Sequence, residues 1–202
     1  MNWLVWSKIN LETGLGGVEV HARCVAAELR ARGITVTFSN KEESLFHQKW
    51  DVVHTHGSQF YNTREFKKFL RDNRQVKWFH TLHGWTWERM LACREYFWPG
   101  GYKAAWDEYF ASQNAHRVFG VHAKLNELFS LSRFSVCGNG WNSADYDTDK
   151  TSVSSEILER CQGRYLFIGR GGDRVKGAWR ILDLGRDFPL TAIPGEGFEA
   201  SQ

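Results

Sequence analysis

The chain lacks the sequence features of several large protein classes. Its 202 residues include four cysteines, which form neither a C-x-x-C pair nor a regular framework, so we expect reduced thiols in a cytoplasmic protein. No apolar run approaches the ~18 residues that a membrane span needs. Residues 1–9 lack the basic start and the cleavage site of a signal peptide, and we expect none.

An excess of charge of one sign is also absent. The formal net charge is +3, which tolerates anionic ligands, but the chain has no dense basic stripe of the kind that binds nucleic acid. Aromatic residues are plentiful at 15% of the chain, with ten tryptophans. At 42% hydrophobic residues, the length allows one substantial core and part of a second.

Short apolar runs alternate with helical patterns along the chain. The spacing predicts helices over 17–32, 63–72 and 123–130, and strands over 2–6, 34–38, 51–55, 76–82, 117–121 and 134–137. This alternation favours an α/β fold with a Rossmann-like, doubly wound parallel sheet. Ligands of such sheets bind at the carboxyl ends of the strands.

The same pattern indicates a division into domains. Residues 1–140 form the predicted amino-terminal domain, and the polar stretch 141–163 is a linker with a short helix at 154–161. A second Rossmann-like unit begins at 164, with strands over 165–168 and 189–193 around a helix over 176–185. It stops after its second strand, so we expect an incomplete second domain and a fragment of a longer protein.

A glycine-rich basic turn follows the strand at 165–168. Glycines allow backbone N–H groups to approach an anion, and Gly169, Arg170 and Lys176 would combine such a turn with two cations. That combination suits a diphosphate, although an ordinary turn with solvated basic side chains has the same composition. A second glycine turn, with Gly16 and Gly17, precedes the first predicted helix.

The upstream turn differs from the dinucleotide-binding fingerprint. Its glycines are at 14, 16 and 17, followed by Val18 and Glu19, so it lacks the last glycine of G-x-G-x-x-G. The second strand ends in Ser39 and Asn40, where that fingerprint would place an acidic residue for the ribose. Both differences argue against a nicotinamide-dependent enzyme.

Four histidines fall at or near predicted strand ends, at 54, 56, 80 and 83. Histidines in such positions can ligate a metal, but no carboxylate cluster completes a ligand set, so we expect no metal. A histidine at a strand end more often satisfies backbone groups. His83 differs because Gly84 follows it and leaves open space beside it.

The order of these motifs resembles the family 4 retaining glycosyltransferases, which have the GT-B fold of two Rossmann-like domains. The similarity extends over nearly the whole chain. Its motifs are G-G-V-E at 16–19, R-G at 32–33, D-V-V-H-T-H at 51–56, T-L-H-G at 81–84, C-G-N-G-W-N at 137–142 and G-R…K-G over 169–177.

The resemblance implies transfer of a sugar from a nucleotide-diphosphate sugar, with retention of configuration. Arg170 and Lys176 would hold the diphosphate with Gly169 and the Gly16–Gly17 turn, and His83 would contact the transferred sugar as the catalytic residue. Further residues of the implied donor pocket are Gly195, Gly197 and Asn139. The family needs no metal, and the nucleotide sugar is a substrate rather than a cofactor.

Two departures from the family pattern stand out. Asn142 replaces the usual aspartate of the linker motif, and the paired glutamates that grip the donor are absent, since Glu196 and Glu199 lie too close together. The chain is then a fragment, a short form that relies on a partner chain, or a relative without transfer activity. Alone, a truncated chain would be inactive.

An aromatic region over 85–110 has the least family pattern. The plain interpretation is a helical insertion that packs on the sheet. The functional alternative is an acceptor platform led by Trp85 and Trp87, or a basic-aromatic surface that lies on the inner face of a membrane.

The acceptor stays open between a glycan, a lipid and a small molecule. Two other functions also stay open: a non-catalytic sugar- or nucleotide-binding subunit that needs a partner chain, and a glycosyltransferase that acts on modified bases of nucleic acid.

Overall fold

The chain folds into two compact units, Met1–Asn142 and Ser143–Gln202. The structure, a computed structural model, describes residues 1–14, 16–58, 61–92, 99–127, 130–138, 165–169 and 190–194. Within the second unit it describes a two-stranded parallel sheet, in which β7 (Tyr165–Gly169) pairs with β8 (Leu190–Pro194).

The first unit is built on a six-stranded sheet in which every strand pair is parallel. The strand order is β2-β1-β3-β4-β5-β6. The strands are β1 (Asn2–Trp6), β2 (Thr35–Ser39), β3 (Val52–His56), β4 (Lys77–Leu82), β5 (Arg117–Gly120) and β6 (Phe134–Val136). The α-helices are α1 (Gly17–Ala31), α2 (Arg64–Asp72), α3 (Thr86–Ala92) and α4 (Pro99–Asn114).

Alternation along the strands supplies two apolar cores, one on each face of the sheet. Trp3 and Val5 of β1 pack in a cluster that includes Ala22 and Ala26 of α1. Leu4 and Trp6 point the other way, because successive strand side chains alternate between faces. They pack in a cluster with residues of α2, α4 and the strands, among them Phe66, Phe69, Trp78, Trp85 and Ala111.

The helix boundaries follow local chemistry. Thr63 begins α2 as its N-cap, with its side chain accepting a hydrogen bond of 3.1 Å from the Phe66 N–H. Gly33 ends α1 in the left-handed region, at a φ of +78°, where glycine has no steric penalty. These two signals were legible in the sequence, and both helices begin and end within a residue of the predicted bounds.

The α/β fold with a parallel sheet is therefore as predicted. The element predicted over 123–130 differs: the structure has a 3₁₀ turn over Ala123–Asn126. The helices predicted over 154–161 and 176–185 lie outside the described residues.

The strand order places a topological switch point at the carboxyl edge of the sheet. The chain passes from β1 outward to β2 and then crosses back to β3 on the other side of β1. Connections therefore leave the carboxyl ends of β1 and β3 in opposite directions, and parallel α/β sheets bind ligands at such a switch point. Among the described helices, none is long and apolar enough to cross a membrane.

Candidate functional site

Three histidines meet at the carboxyl edge of the sheet, beside the switch point. His56 is the last residue of β3, and its side chain lies on the same face as that of Val52, which packs in the α1 core. His21 is in the second turn of α1, and His83 follows β4 directly. We call His21, His56 and His83 the histidine cluster.

The rings of the histidine cluster are in mutual contact. Their centroids are 5.0 Å apart for His21 and His83, 5.6 Å for His56 and His83, and 5.8 Å for His21 and His56. His56 Nδ1 is 3.3 Å from His83 Nε2. One ring nitrogen from each member lies within 4.8 Å of the other two.

Burial keeps these imidazoles neutral at pH 7. Burial and, to a lesser degree, repulsion by His21 and Arg89 lower the pKa of His83 to about 4. The pKa of His56 is lowered well below the ordinary value, first by burial and then by the neighbouring histidines, and burial also lowers the pKa of His21. Each ring therefore has a lone pair available to a proton donor or a Lewis acid.

The other two predicted histidines lie deeper and have threonine partners. His54 Nε2 is 2.8 Å from Thr81 Oγ1, and His80 Nδ1 is 2.8 Å from Thr55 Oγ1. Burial lowers the pKa of both histidines to about 3, with smaller contributions from neighbouring histidines. Their side chains belong to the packed interior of the sheet rather than to its edge.

Two adjacent acids on α4 anchor the loops that carry His56 and His83. The Asp107 carboxylate accepts the backbone N–H groups of Tyr61 and Asn62. The Tyr61 hydroxyl in turn donates to the His56 carbonyl at 2.6 Å and accepts the His56 N–H at 3.0 Å. His56 is thus held through its backbone by a residue of a helix on the opposite face of the sheet.

Glu108 likewise accepts a backbone hydrogen bond from the loop that follows β4. Its Oε2 accepts the Thr86 N–H at 2.7 Å, at the start of α3 and three residues after His83. Burial raises the pKa of Glu108 to about 7, and the hydrogen bond from Thr86 and the charge of Arg89 oppose that rise. Sequence reasoning missed these roles, whose only local signal is the acidic pair itself within an aromatic helix.

The glycine turn before α1 is held by packing and by an arginine. A Cβ on Gly14 would lie 2.5 Å from Glu19 Cγ, so a larger residue there would have to displace the Glu19 side chain. Arg23 Nη1 donates to the carbonyls of Leu11 at 3.3 Å, Glu12 at 3.4 Å and Gly14 at 2.5 Å. Sequence reasoning missed Arg23, whose role depends on α1 folding back over its own leading loop.

Gly16 and Gly17 form the open start of α1. Gly16 is the N-cap in extended conformation, and no side chain caps the helix. A Cβ on Gly17 would have no neighbour within 4 Å among the atoms of the structure. No side chain therefore caps the first N–H groups of α1, and the role of Gly16 and Gly17 in binding a diphosphate stays a prediction.

Trp85 does not fit the predicted acceptor platform. It is 1% exposed, and its indole N–H donates to the Leu125 carbonyl at 2.6 Å, so it is a core residue. Trp87 is half-buried and contacts Tyr102 edge to face at 6.1 Å. Only Trp87, of the two, has an accessible face.

Arg89 adds a positive charge near His83. It is exposed, and its guanidinium approaches Gly84 so closely that a Cβ there would lie 3.2 Å from Nη2. The same charge contributes to the lowered pKa of His83. An anion bound beside His83 would meet this cation, which the sequence pattern did not single out.

The remaining predicted residues belong to the second unit or its approach. Gly169 ends β7 and is aligned with Pro194, which ends β8, so the two strands finish at the same edge. Arg170, Lys176, Gly195, Gly197 and Asn139 lie outside the described residues.

The structure thus unites His83 and the start of α1, and adds His21, which sequence reasoning overlooked. Its only sequence signal is its place four residues after the Gly16–Gly17 turn. In comparisons with known proteins, no family model matches the chain, and no curated protein matches its sequence.

Proposed function

We propose that the chain is part of a nucleotide-sugar-dependent glycosyltransferase that retains configuration at the transferred sugar. The proposal begins from the motif order described above, which resembles the family 4 enzymes. Its main structural support is that His83 and the start of α1, which no side chain caps, lie at the same carboxyl edge of the sheet. There the ring centroids of His21, in α1, and His83 are 5.0 Å apart.

Different groups at this edge of the sheet suit different parts of the donor. A neutral His83 imidazole can donate or accept a hydrogen bond with a sugar hydroxyl. The free N–H groups of α1 and the charge of Arg89 favour a phosphate, whose negative charge grows as the sugar leaves. Arg170 and Lys176, in the second unit, stay predicted ligands of the diphosphate.

The proposed acceptor surface is aromatic. Trp87, Tyr102 and Trp106 give α3 and α4 an exposed aromatic surface, and Trp106 is 60% exposed. Aromatic faces stack on sugars and on bases, so this surface fits a glycan or lipid-linked acceptor, and a modified base fits it as well. With free thiols at Cys24 and Cys137, we propose a cytoplasmic site of action.

The proposal is tested by calorimetric titration of the chain with UDP, GDP and ADP and with their hexose conjugates. We expect one base to bind, and we expect Arg170→Ala or Lys176→Ala to weaken the free diphosphate at least about 10-fold, the loss of one charge-assisted contact.

His83 should affect a different part of the donor. His83→Asn should weaken the hexose conjugate more than the free diphosphate, while His47→Asn, an exposed matched control, should change neither. Binding of the conjugate without release of the nucleotide diphosphate would favour the non-catalytic subunit. Absence of all nucleotide binding would contradict the proposal.

A further inference from the structure

The histidine cluster has the composition of a transition-metal site. We propose that His21, His56 and His83 bind one divalent transition-metal ion, Zn²⁺ in particular, through one ring nitrogen each. This inference does not rest on glycosyl transfer, for which the resemblance implies no metal.

The distances fit a tetrahedral ion. Zn–N bonds of 2.0–2.1 Å at tetrahedral angles place two ligand nitrogens about 3.3 Å apart. His56 Nδ1 and His83 Nε2 are already 3.3 Å apart. The other pairs lie within 4.8 Å, so they need to close by at most about 1.5 Å, which rotation of the imidazole rings can supply.

The two buried members have nitrogens in need of a partner. His21 is 4% exposed and His56 is fully buried. Among the described residues, His21 Nδ1 has no hydrogen-bond partner, whereas the His56 nitrogen that faces the cluster, Nδ1, lies against His83 and its unpartnered nitrogen is Nε2. Buried polar atoms are nearly always satisfied, so the unpartnered His21 Nδ1 supports a missing ligand beside the cluster.

The donor set selects the class of ion. Three imidazoles suit Zn²⁺, Co²⁺, Ni²⁺ and Cu²⁺, whereas Mg²⁺ and Ca²⁺ require oxygen ligands. The ligands come from α1, the end of β3 and the residue after β4, and His56 is anchored on both sides by Tyr61. Such rigid placement favours a fixed coordination geometry.

Three protein ligands leave the fourth tetrahedral position to an outside group. His83 is half-buried, so that position can be reached by water or an oxyanion. Arg89 lies on the His83 side, where an anionic fourth ligand would offset its charge. Inorganic phosphate is the simplest probe for such a ligand.

The first experiment titrates untagged, EDTA-treated protein with Co²⁺, whose tetrahedral complexes absorb strongly in the visible range. We expect one equivalent to bind, Zn²⁺ to displace it, and Mg²⁺ to leave the spectrum unchanged. His21→Gln, His56→Gln and His83→Gln should each weaken the metal about 100-fold or more, and exposed His47→Gln should not. Retained stoichiometric binding in two of the three variants would overturn the proposal.

A second measurement needs no variant and so does not depend on whether His56→Gln folds. X-ray absorption of the Zn²⁺-loaded wild-type chain should show three imidazole nitrogens and one oxygen at about 2.0 Å. A sulfur in the coordination shell, or less than one ion bound per chain, would refute the site. Neither readout involves a nucleotide, so failure here leaves the transferase proposal standing, and the converse also holds.

Discussion

The interior of the sheet and its carboxyl edge use the same residue type in different ways. In the interior, His54 and His80 each contact a threonine hydroxyl on a neighbouring strand at 2.8 Å. At the edge, the described side-chain partner of the His56 ring nitrogens is His83, and the His21 ring approaches both from a helix. Each interior histidine thus links two strands through one ring nitrogen, and its other nitrogen, His54 Nδ1 or His80 Nε2, is buried without a partner among the described residues; the edge histidines instead bring their ring nitrogens together.

Lowering the pH should have the largest expected effect, a loss of stability that comes from the buried histidines. The pKa values of His54, His80 and His83 are about 3, 3 and 4 in the folded chain, against an ordinary value of 6.5. The folded state therefore binds fewer protons than the unfolded state between about pH 4 and 6.5. Stability contributed by these histidines is complete above pH 6.5 and falls as the pH drops.

The slope from these three groups is about three protons, or about 4 kcal/mol per pH unit near pH 5, and the lowered pKa values of His56 and His21 add to it. Urea unfolding with EDTA present measures the total. His80→Gln should reduce the slope by about one proton, because it removes one interior group. A slope below one proton would contradict the burial of these rings.

The two tryptophans after His83 give the next largest effect. Trp85→Ala removes a fully buried indole and should lower the free energy of unfolding by about 3–5 kcal/mol. Trp87→Ala, at a half-buried position, should cost less than about 2 kcal/mol. Urea unfolding at pH 7.5 measures both, and equal losses would mean that Trp87 also belongs to the interior.

Glu108 should give the smallest effect, with the opposite dependence on pH. Its pKa of about 7 in the folded chain lies above the ordinary 4.5, so the stability it contributes falls as pH rises from 4.5 to 7. Glu108→Gln keeps an acceptor for Thr86 N–H without the buried charge.

Glu108→Gln should therefore stabilise the chain by about 1–3 kcal/mol at pH 8 and little at pH 5, in thermal unfolding at both values. Glu65→Gln, at an exposed position of α2, serves as the control. Loss of stability at pH 8 would show that the ionised carboxylate is needed to hold Thr86.

Much of the sheet could be predicted because its signals are local. Apolar runs, Thr63 before α2 and Gly33 after α1 each act within a few residues of the element they define. The H-x-H pattern of β3 likewise predicts that His54 and His56 share a face. The edge at which His83 would lie follows from the parallel strands.

The rest depended on contacts between distant parts of the chain. His21 joins the site only because α1 packs over β3 and β4, which helical spacing does not reveal. Trp85 lies two residues after His83, yet its side chain is buried, and its indole N–H donates to the carbonyl of Leu125, 40 residues away. The placement of Arg170 and Lys176 stays a prediction.

The adjacency of Asp107 and Glu108 couples two loops that are separate in sequence. Asp107 accepts hydrogen bonds from the segment after β3, and Glu108 accepts one from the segment after β4. Both acids belong to the same turn of α4. A substitution that displaces that single turn should therefore disturb the segments after β3 and after β4 together, rather than one without the other. The positions of His56 and His83 thus depend on one piece of helix as well as on the contact between their own rings.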